Sequence, residues 1–310
     1  VSVIQLTNGV RTVPSVSTDM KGLYQDYLAN DWMDHLDDPE MWEKVDNIPN
    51  EVFWNVRLIQ KRKLVTFLRN RIRKPWMKGN IHPVQVIAGG VMLDQHKLTI
   101  GFARRFSTYK RGNLILRDFD RFLRILNNEK MPVQIVFSGK AHPADEPGKL
   151  IIQQLYRAAK DAKTGGRMVF VEDYDMNVAR RLLHSVDVWL NNPRRPNEAS
   201  GTSGMKAAMN GALNFSVLDG WWHEAYNGKN GWTVGDLTDF DDPNEQDNYD
   251  AADLYDTLEN EIVPAYYARY QGDDEQWMHM VKNNLKTLSH EFSMRRMVKQ
   301  YVEKLYTKAL

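Results

Sequence analysis

Two rhythms of apolar and polar positions divide this chain. Over residues 18–78 the period is helical: Leu23, Tyr27, Leu28, Trp32 and Leu36 form one stripe, and Val52, Val56, Ile59, Lys63 and Phe67 keep a near-helical spacing in a second, longer segment. Asp38-Pro39-Glu40 between them has the residues of a helix start. From Lys97 the rhythm becomes strand and helix in alternation. Largely apolar runs of strand length fall at 98–102, 133–138, 168–172, 186–190 and 213–218, separated by helical stretches such as 113–126 and 150–162. Repeated βα units predict an α/β fold, a doubly wound parallel sheet with flanking helices. The ligand site of such a sheet lies beyond the carboxyl ends of its strands. Further on, 220–235 reads as an ordered loop in which Trp221 and Trp222 serve as packing residues or as sugar platforms, with His223 and Glu224 as open candidates. Residues 241–250 read as an acidic surface loop, and 251–270 and 277–288 as helices, the first interrupted near Pro264. Phe292-Ser293-Met294 then starts a last amphipathic helix. Residues 1–6 read as a strand already under way, without an initiator Met, which suggests the interior of a longer protein.

Composition narrows the function classes. With 310 residues, 42% hydrophobic and 26% charged, the chain can bury one large core or two smaller ones. A net charge of +1 predicts no nucleic-acid partner, so Arg57, Lys61, Arg62, Lys63, Arg69, Arg71 and Arg73 read as a solvated helix face. No apolar stretch approaches the roughly 20 residues of a membrane span. The absence of cysteine excludes disulfides, thiolate metal sites and a cysteine nucleophile, and it suits a cytoplasmic protein. No metal-ligand spacing is present, so no metal is expected.

Polar clusters fall at the expected strand ends. Gly101-Phe-Ala-Arg104-Arg105-Phe-Ser-Thr-Tyr109-Lys110-Arg111 holds four cations, an anion trap or a solvated surface. Ser138-Gly139-Lys140-Ala141-His142-Pro143 follows the second strand, where His142 alone reads as a surface or packing histidine. Val171-Glu172-Asp173-Tyr174 follows the third, with Tyr174 a half-buried aromatic or a ligand contact. After the fourth comes Asn197-Glu198-Ala199-Ser200-Gly201-Thr202-Ser203-Gly204-Met205-Lys206. Its glycines allow close backbone approach, and the hydroxyls of Ser200, Thr202 and Ser203 can cap the next helix, whose free N–H groups favour an anion. Lys206 in the first turn of that helix would sit where the dipole favours the neutral amine that condensation with an aldehyde requires. A phosphate-bearing aldehyde cofactor suits both features, and an ordinary capped helix with an exposed lysine remains the other reading. The spacing is not that of a nucleotide-binding P-loop.

The run from Glu198 to Lys206, with Asn210-Gly211-Ala212-Leu213 and Leu218-Asp219-Gly220-Trp221-Trp222, resembles the cofactor-lysine segment of the α-glucan phosphorylases, in particular their short bacterial and archaeal branch. The likeness begins near the end of that family's amino-terminal lobe and implies a Rossmann-like carboxyl-terminal lobe of a two-lobed GT-B glycosyltransferase. The implied division is 1–18 as the end of the other lobe, 19–95 as a helical segment, 96–290 as the cofactor and phosphate domain, and 291–310 as a returning helix. The implied cofactor is pyridoxal 5'-phosphate on Lys206, with Arg104, Tyr174, Thr202 and Ser203 around its phosphate. Arg105 and Lys110 are assigned to the substrate phosphate, and Asn8, Glu198, Ala199, Ser200 and Gly201 to the donor glucose. Arg104 departs from the lysine of many relatives, and Ser203-Gly204 from their Gly-Asn.

The implied activity is reversible phosphorolysis of α-1,4-glucan by inorganic phosphate to glucose 1-phosphate with retained configuration. The implied partners are these substrates, the missing amino-terminal lobe and a second copy in a homodimer. A nucleotide-sugar transferase of similar architecture would place a second glutamate at the position of Lys206, and a non-catalytic sugar-binding lobe is the remaining alternative.

Overall fold

The computed structural model describes residues 4–73 and 93–307. Six strands form a single parallel sheet: β1 (Leu98–Phe106), β2 (Val133–Ala141), β3 (Met168–Val171), β4 (Val188–Asn191), β5 (Leu213–Val217) and β6 (Gly231–Val234), in the spatial order 3-2-1-4-5-6. The expected doubly wound α/β fold is therefore present. The order reverses between β1 and β4, where Ile100 pairs with both Ile135 and Val188. A doubly wound sheet opens its ligand crevice at such a reversal.

The strands are apolar on both faces because helices cover both. On one side Ala103, Val136, Val169 and Trp189 pack with Leu64, Val65 and Leu68 of α2 (Asn50–Arg73) and with Val178 and Leu182 of α5 (Met176–Ser185). On the other, Ile100, Phe102, Ile135 and Phe137 meet α3 (Phe119–Leu126) through Phe122 and Leu126, and α4 (Glu146–Lys160) through Ile151 and Leu155. Tyr24 of α1 (Thr18–Tyr27), Trp32 and Trp42 join this second core as a cluster of edge-on rings.

Helix starts follow local chemistry. Ser17, Asp118, Asp145, Asp175 and Asp242 each accept a backbone N–H of the turn they precede. These caps explain several displaced boundaries. Asp118 splits the expected helix 113–126 into a 3₁₀ turn, Leu114–Leu116, and α3. Asp145 with Pro147 starts α4 earlier than expected, and Asp242 with Pro243 turns most of the expected acidic loop into α8 (Pro243–Thr257). That helix runs through a π-helical turn, Leu258–Ile262, just before Pro264.

Other expectations are corrected. Val186 ends α5 and does not begin a strand, since its N–H donates to Leu182 O at 3.1 Å. The first apolar stripe is broken, because α1 stops at Tyr27 and Trp32–Asp34 is a lone 3₁₀ turn. Residues 4–6 are not a strand, while 1–3 and 74–78 lie outside the described residues. The expected loop 220–235 contains α7 (Trp221–Ala225) and β6; both tryptophans are buried, so packing is their role. Arg57 and Lys61 are not on a solvated face: they are 4% and 1% exposed. Helix α9 (Glu275–Leu288) buries Trp277, Val281 and Leu285, and α10 (Met294–Tyr301) starts behind a Ser293 cap, as expected.

Candidate functional site at the switch point of the sheet

At the carboxyl end of β1 the strand alternation separates two arginines. Arg104 turns inward: its side chain is 10% exposed, and Nη1 stands 3.7 Å from Glu198 Oε2. Burial pushes its guanidinium down to about 10, an effect opposed by the charge of Glu198. Its Nε is buried without a hydrogen-bond partner. Arg105 is exposed. The turn Thr108–Lys110 brings Lys110 back over the strand end, where Nζ donates to the Glu198 carboxylate. Arg111, the fourth cation, serves the fold: it donates to the carbonyls of Asn192 and Pro193 at 2.9 and 2.8 Å and pairs with Asp247 and Asp250.

Glu198 reaches these cations from the loop after β4, and that loop is pinned to the loop after β5. The Glu198 N–H donates to Asp219 Oδ2 at 2.8 Å, the Gly220 N–H to Asp219 Oδ1 at 2.9 Å, and the Trp221 N–H to Ser200 O at 2.8 Å. Gly220 has φ 55°, and a Cβ there would lie 2.6 Å from Ser200 O, so only glycine fits this approach. From the other side Asn8 Nδ2 donates to Ser200 Oγ at 3.0 Å. Asn8, Glu198 and Ser200 are thereby brought together, although 190 residues of chain separate Asn8 from Glu198.

Helix α6 (Thr202–Ala208) departs from expectation in two respects. Its N-cap is Gly201 at φ 85°, with no side-chain cap, so the hydroxyls of Ser200, Thr202 and Ser203 do not cap it. Ser203 Oγ accepts instead from Trp189 Nε1 at 3.2 Å, and Thr202 is exposed. Lys206 is the fifth residue of the helix, in its last turn, so the dipole argument, which acts in the first turn, does not apply. Its Nζ has no hydrogen-bond or ion-pair partner among the described residues, and neither does the Arg105 guanidinium. Tyr174 is half-buried; burial raises its phenol and the charge of Arg104 opposes this. Ala199 and His142 are exposed, and Gly201 is half-buried.

Sequence reasoning passed over Asp219 as the staple of the turn. It also missed the orphaned amide oxygens of Asn191, Asn192 and Asn214, all buried. The signal for the first two was two consecutive asparagines closing an apolar strand.

A buried guanidinium with a free N–H, a lysine amine without a partner and a helix start without a side-chain cap fit a ligand that carries an anionic group and a carbonyl able to meet an amine. Fold and site together define a parallel α/β protein with incompletely paired cations at the switch point of its sheet. The chain belongs to the carbohydrate phosphorylase family, whose profile matches residues 3–259. It is 45% identical to a glycogen phosphorylase of Aquifex aeolicus and 44% identical to a maltodextrin phosphorylase of Thermococcus litoralis, in both cases over 98% of this chain. A glycogen phosphorylase of Mycobacterium tuberculosis is 39% identical over the same share. The chain spans 44%, 36% and 35% of the length of these three relatives.

Proposed function

We propose that this chain is the cofactor and phosphate half of an α-1,4-glucan phosphorylase, which transfers a terminal glucosyl unit to inorganic phosphate and forms glucose 1-phosphate with retained configuration. The observation that carries the reading is the meeting of Arg104 and Lys110 with the Glu198 turn at the β1/β4 reversal, next to a helix that carries an unpartnered Lys206. Pyridoxal 5'-phosphate is the proposed cofactor, held covalently by Lys206, with Arg104, Tyr174, Thr202 and Ser203 around its phosphate. When bound, that phosphate supplies an acid-base partner to the substrate phosphate. Arg105 and Lys110 then bind and orient the substrate phosphate and offset its charge. Glu198 and Asn8, with Ala199, Ser200 and Gly201, orient the glucosyl ring through its hydroxyls. No carboxylate pair of the glycosidase kind is required.

The relatives' greater length supports a second lobe that completes the glucan cleft, so the isolated chain is expected to turn over little or no glucan. Residues 1–18 and 291–310 are its proposed junction, with a homodimer and the cytoplasm as proposed assembly and location. Among the described residues no helix is long and apolar enough to cross a membrane. The direct test is borohydride reduction of the chain with pyridoxal phosphate and peptide mass mapping. A pyridoxyl group on Lys206 supports the reading, and label scattered over surface lysines, or none, overturns it.

A further inference from the structure

The segment before α1 and the last helix meet beside the Glu198 turn, and one buried arginine joins them. Val10 N–H donates to Phe292 O at 2.9 Å and Met294 N–H donates to Val10 O at 2.8 Å, a bridge that seats the segment on the start of α10. Gly9 fits there only without a side chain, since a Cβ would stand 2.4 Å from Ser293 O. Arg296, 8% exposed, donates through Nη1 to Thr7 O at 2.9 Å and through Nη2 to Asn8 O at 3.2 Å, while its Nε is spent on Glu291 O at 2.5 Å. Those two carbonyls belong to the two peptide planes that flank the Asn8 Cα. Each plane is rigid, so holding both carbonyls narrows the φ and ψ open to Asn8 and with them the direction of its Cα–Cβ bond. Along that direction Nδ2 meets Ser200 Oγ, which leaves Oδ1 without a partner among the described residues. The other side of the contact is braced as well, because the Trp221 N–H holds Ser200 O and the Trp221 ring packs edge-on against Phe292 at 4.9 Å.

We infer that Arg296 is a positioning residue of the donor-sugar pocket: by gripping the carbonyls of Thr7 and Asn8 it aims the Asn8 amide at the hydroxyls of the sugar held by the Glu198 turn. The inference rests on the reading of Asn8 as a sugar contact. Lysine at 296 keeps the charge but offers a point donor in place of a fork, and it cannot hold both carbonyls in plane.

The test titrates glucose 1-phosphate and, separately, inorganic phosphate into the full-length, cofactor-loaded protein by calorimetry, with thermal unfolding as a control. Arg296→Lys is expected to weaken glucose 1-phosphate binding about 3- to 10-fold, the range of one neutral hydrogen bond, and to leave inorganic phosphate binding unchanged. Asn8→Ala should weaken it similarly, and the double variant should lose little more than either single one. Arg296→Gln, which removes the buried charge and can hold one carbonyl only, is the second variant should the lysine form not fold, with the same expectation. Losses that multiply in the double variant, equal losses for both ligands, or no loss overturn the role of Arg296. An Asn8→Ala protein that binds glucose 1-phosphate normally overturns the sugar-contact reading itself, and Arg296's role with it.

Discussion

Buried cations lie at both ends of the sheet, and the two sets differ in how much of their bonding capacity the fold consumes. At the amino ends of β1 and β4, Lys61 donates to Asp187 Oδ2 at 2.6 Å, Lys97 O at 2.7 Å and the Tyr266 hydroxyl at 2.7 Å, which uses all three of its protons. Arg57 beside it closes the ends of α5 and α6 by donating to the carbonyls of His184, Val186 and Asn210. At the carboxyl ends only Arg111 is spent in the same way, on Asn192 O, Pro193 O, Asp247 and Asp250, whereas Arg104 keeps a buried N–H free and shares a single carboxylate with Lys110. A charge whose partners all come from the fold is structure. One left short of partners in a crevice is available to a ligand.

Substitutions at the two ends distinguish spent cations from available ones. The largest effect is expected from Asp187→Ala, which strands Lys61 without its counter-ion: a loss of about 3–5 kcal/mol in urea unfolding. A loss below about 1 kcal/mol would mean that the amino-end cluster is not the saturated network described. The next is a pH effect in the same region. Burial pushes the His184 imidazole down to about 4, and its Nε2 is buried without a partner, so the folded chain holds it neutral. Between pH 6.5 and 4 the unfolded state binds the proton and the folded state does not. Stability contributed here is intact above pH 6.5 and falls by up to about 3 kcal/mol as pH drops towards 4. His184→Gln should flatten that part of the stability profile; an unchanged slope assigns it to other groups.

At the opposite end, Arg104→Leu should change stability by less than about 1 kcal/mol, because its pairing is incomplete and its burial is already costly. The same variant should weaken pyridoxal phosphate binding about 10- to 100-fold, the range of a charge-assisted hydrogen bond. The reverse pattern, a stability loss with normal binding, would make Arg104 a fold residue like Arg57. The smallest expected effect on the fold is that of Arg105→Ala, within about 0.5 kcal/mol on thermal unfolding because the side chain is exposed, with weaker inorganic phosphate binding as its only sizeable consequence.

Much of this architecture is legible in the order of the residues. Five of the six strands stood out as apolar runs, because burial on both faces removes polar residues from them. β6 did not, since Gly231-Trp-Thr-Val is short and follows a Gly- and Asn-rich stretch that reads as loop. Helix boundaries slipped where a cap lay outside the apolar stripe, as at Asp145 and Asp242. In the site, the cation cluster and the turn from Glu198 to Lys206 were visible because each is contiguous. The bonding roles of Arg296 and Asp219 were not, because their partners lie 289 and 21 residues away in the sequence.

By itself, then, the sequence determined the parallel α/β class, the strand ends that carry polar chemistry and the family to which the Glu198–Lys206 run belongs, since these depend on local period and contiguous motif. Only the tertiary structure decided which cations are spent and which are free, that Lys206 sits in the last turn of its helix, and that Asn8 is carried to Ser200 by the final helix. Hydrogen-bond saturation and direction are set by groups that meet in space, and a linear pattern of residue types does not encode which ones meet.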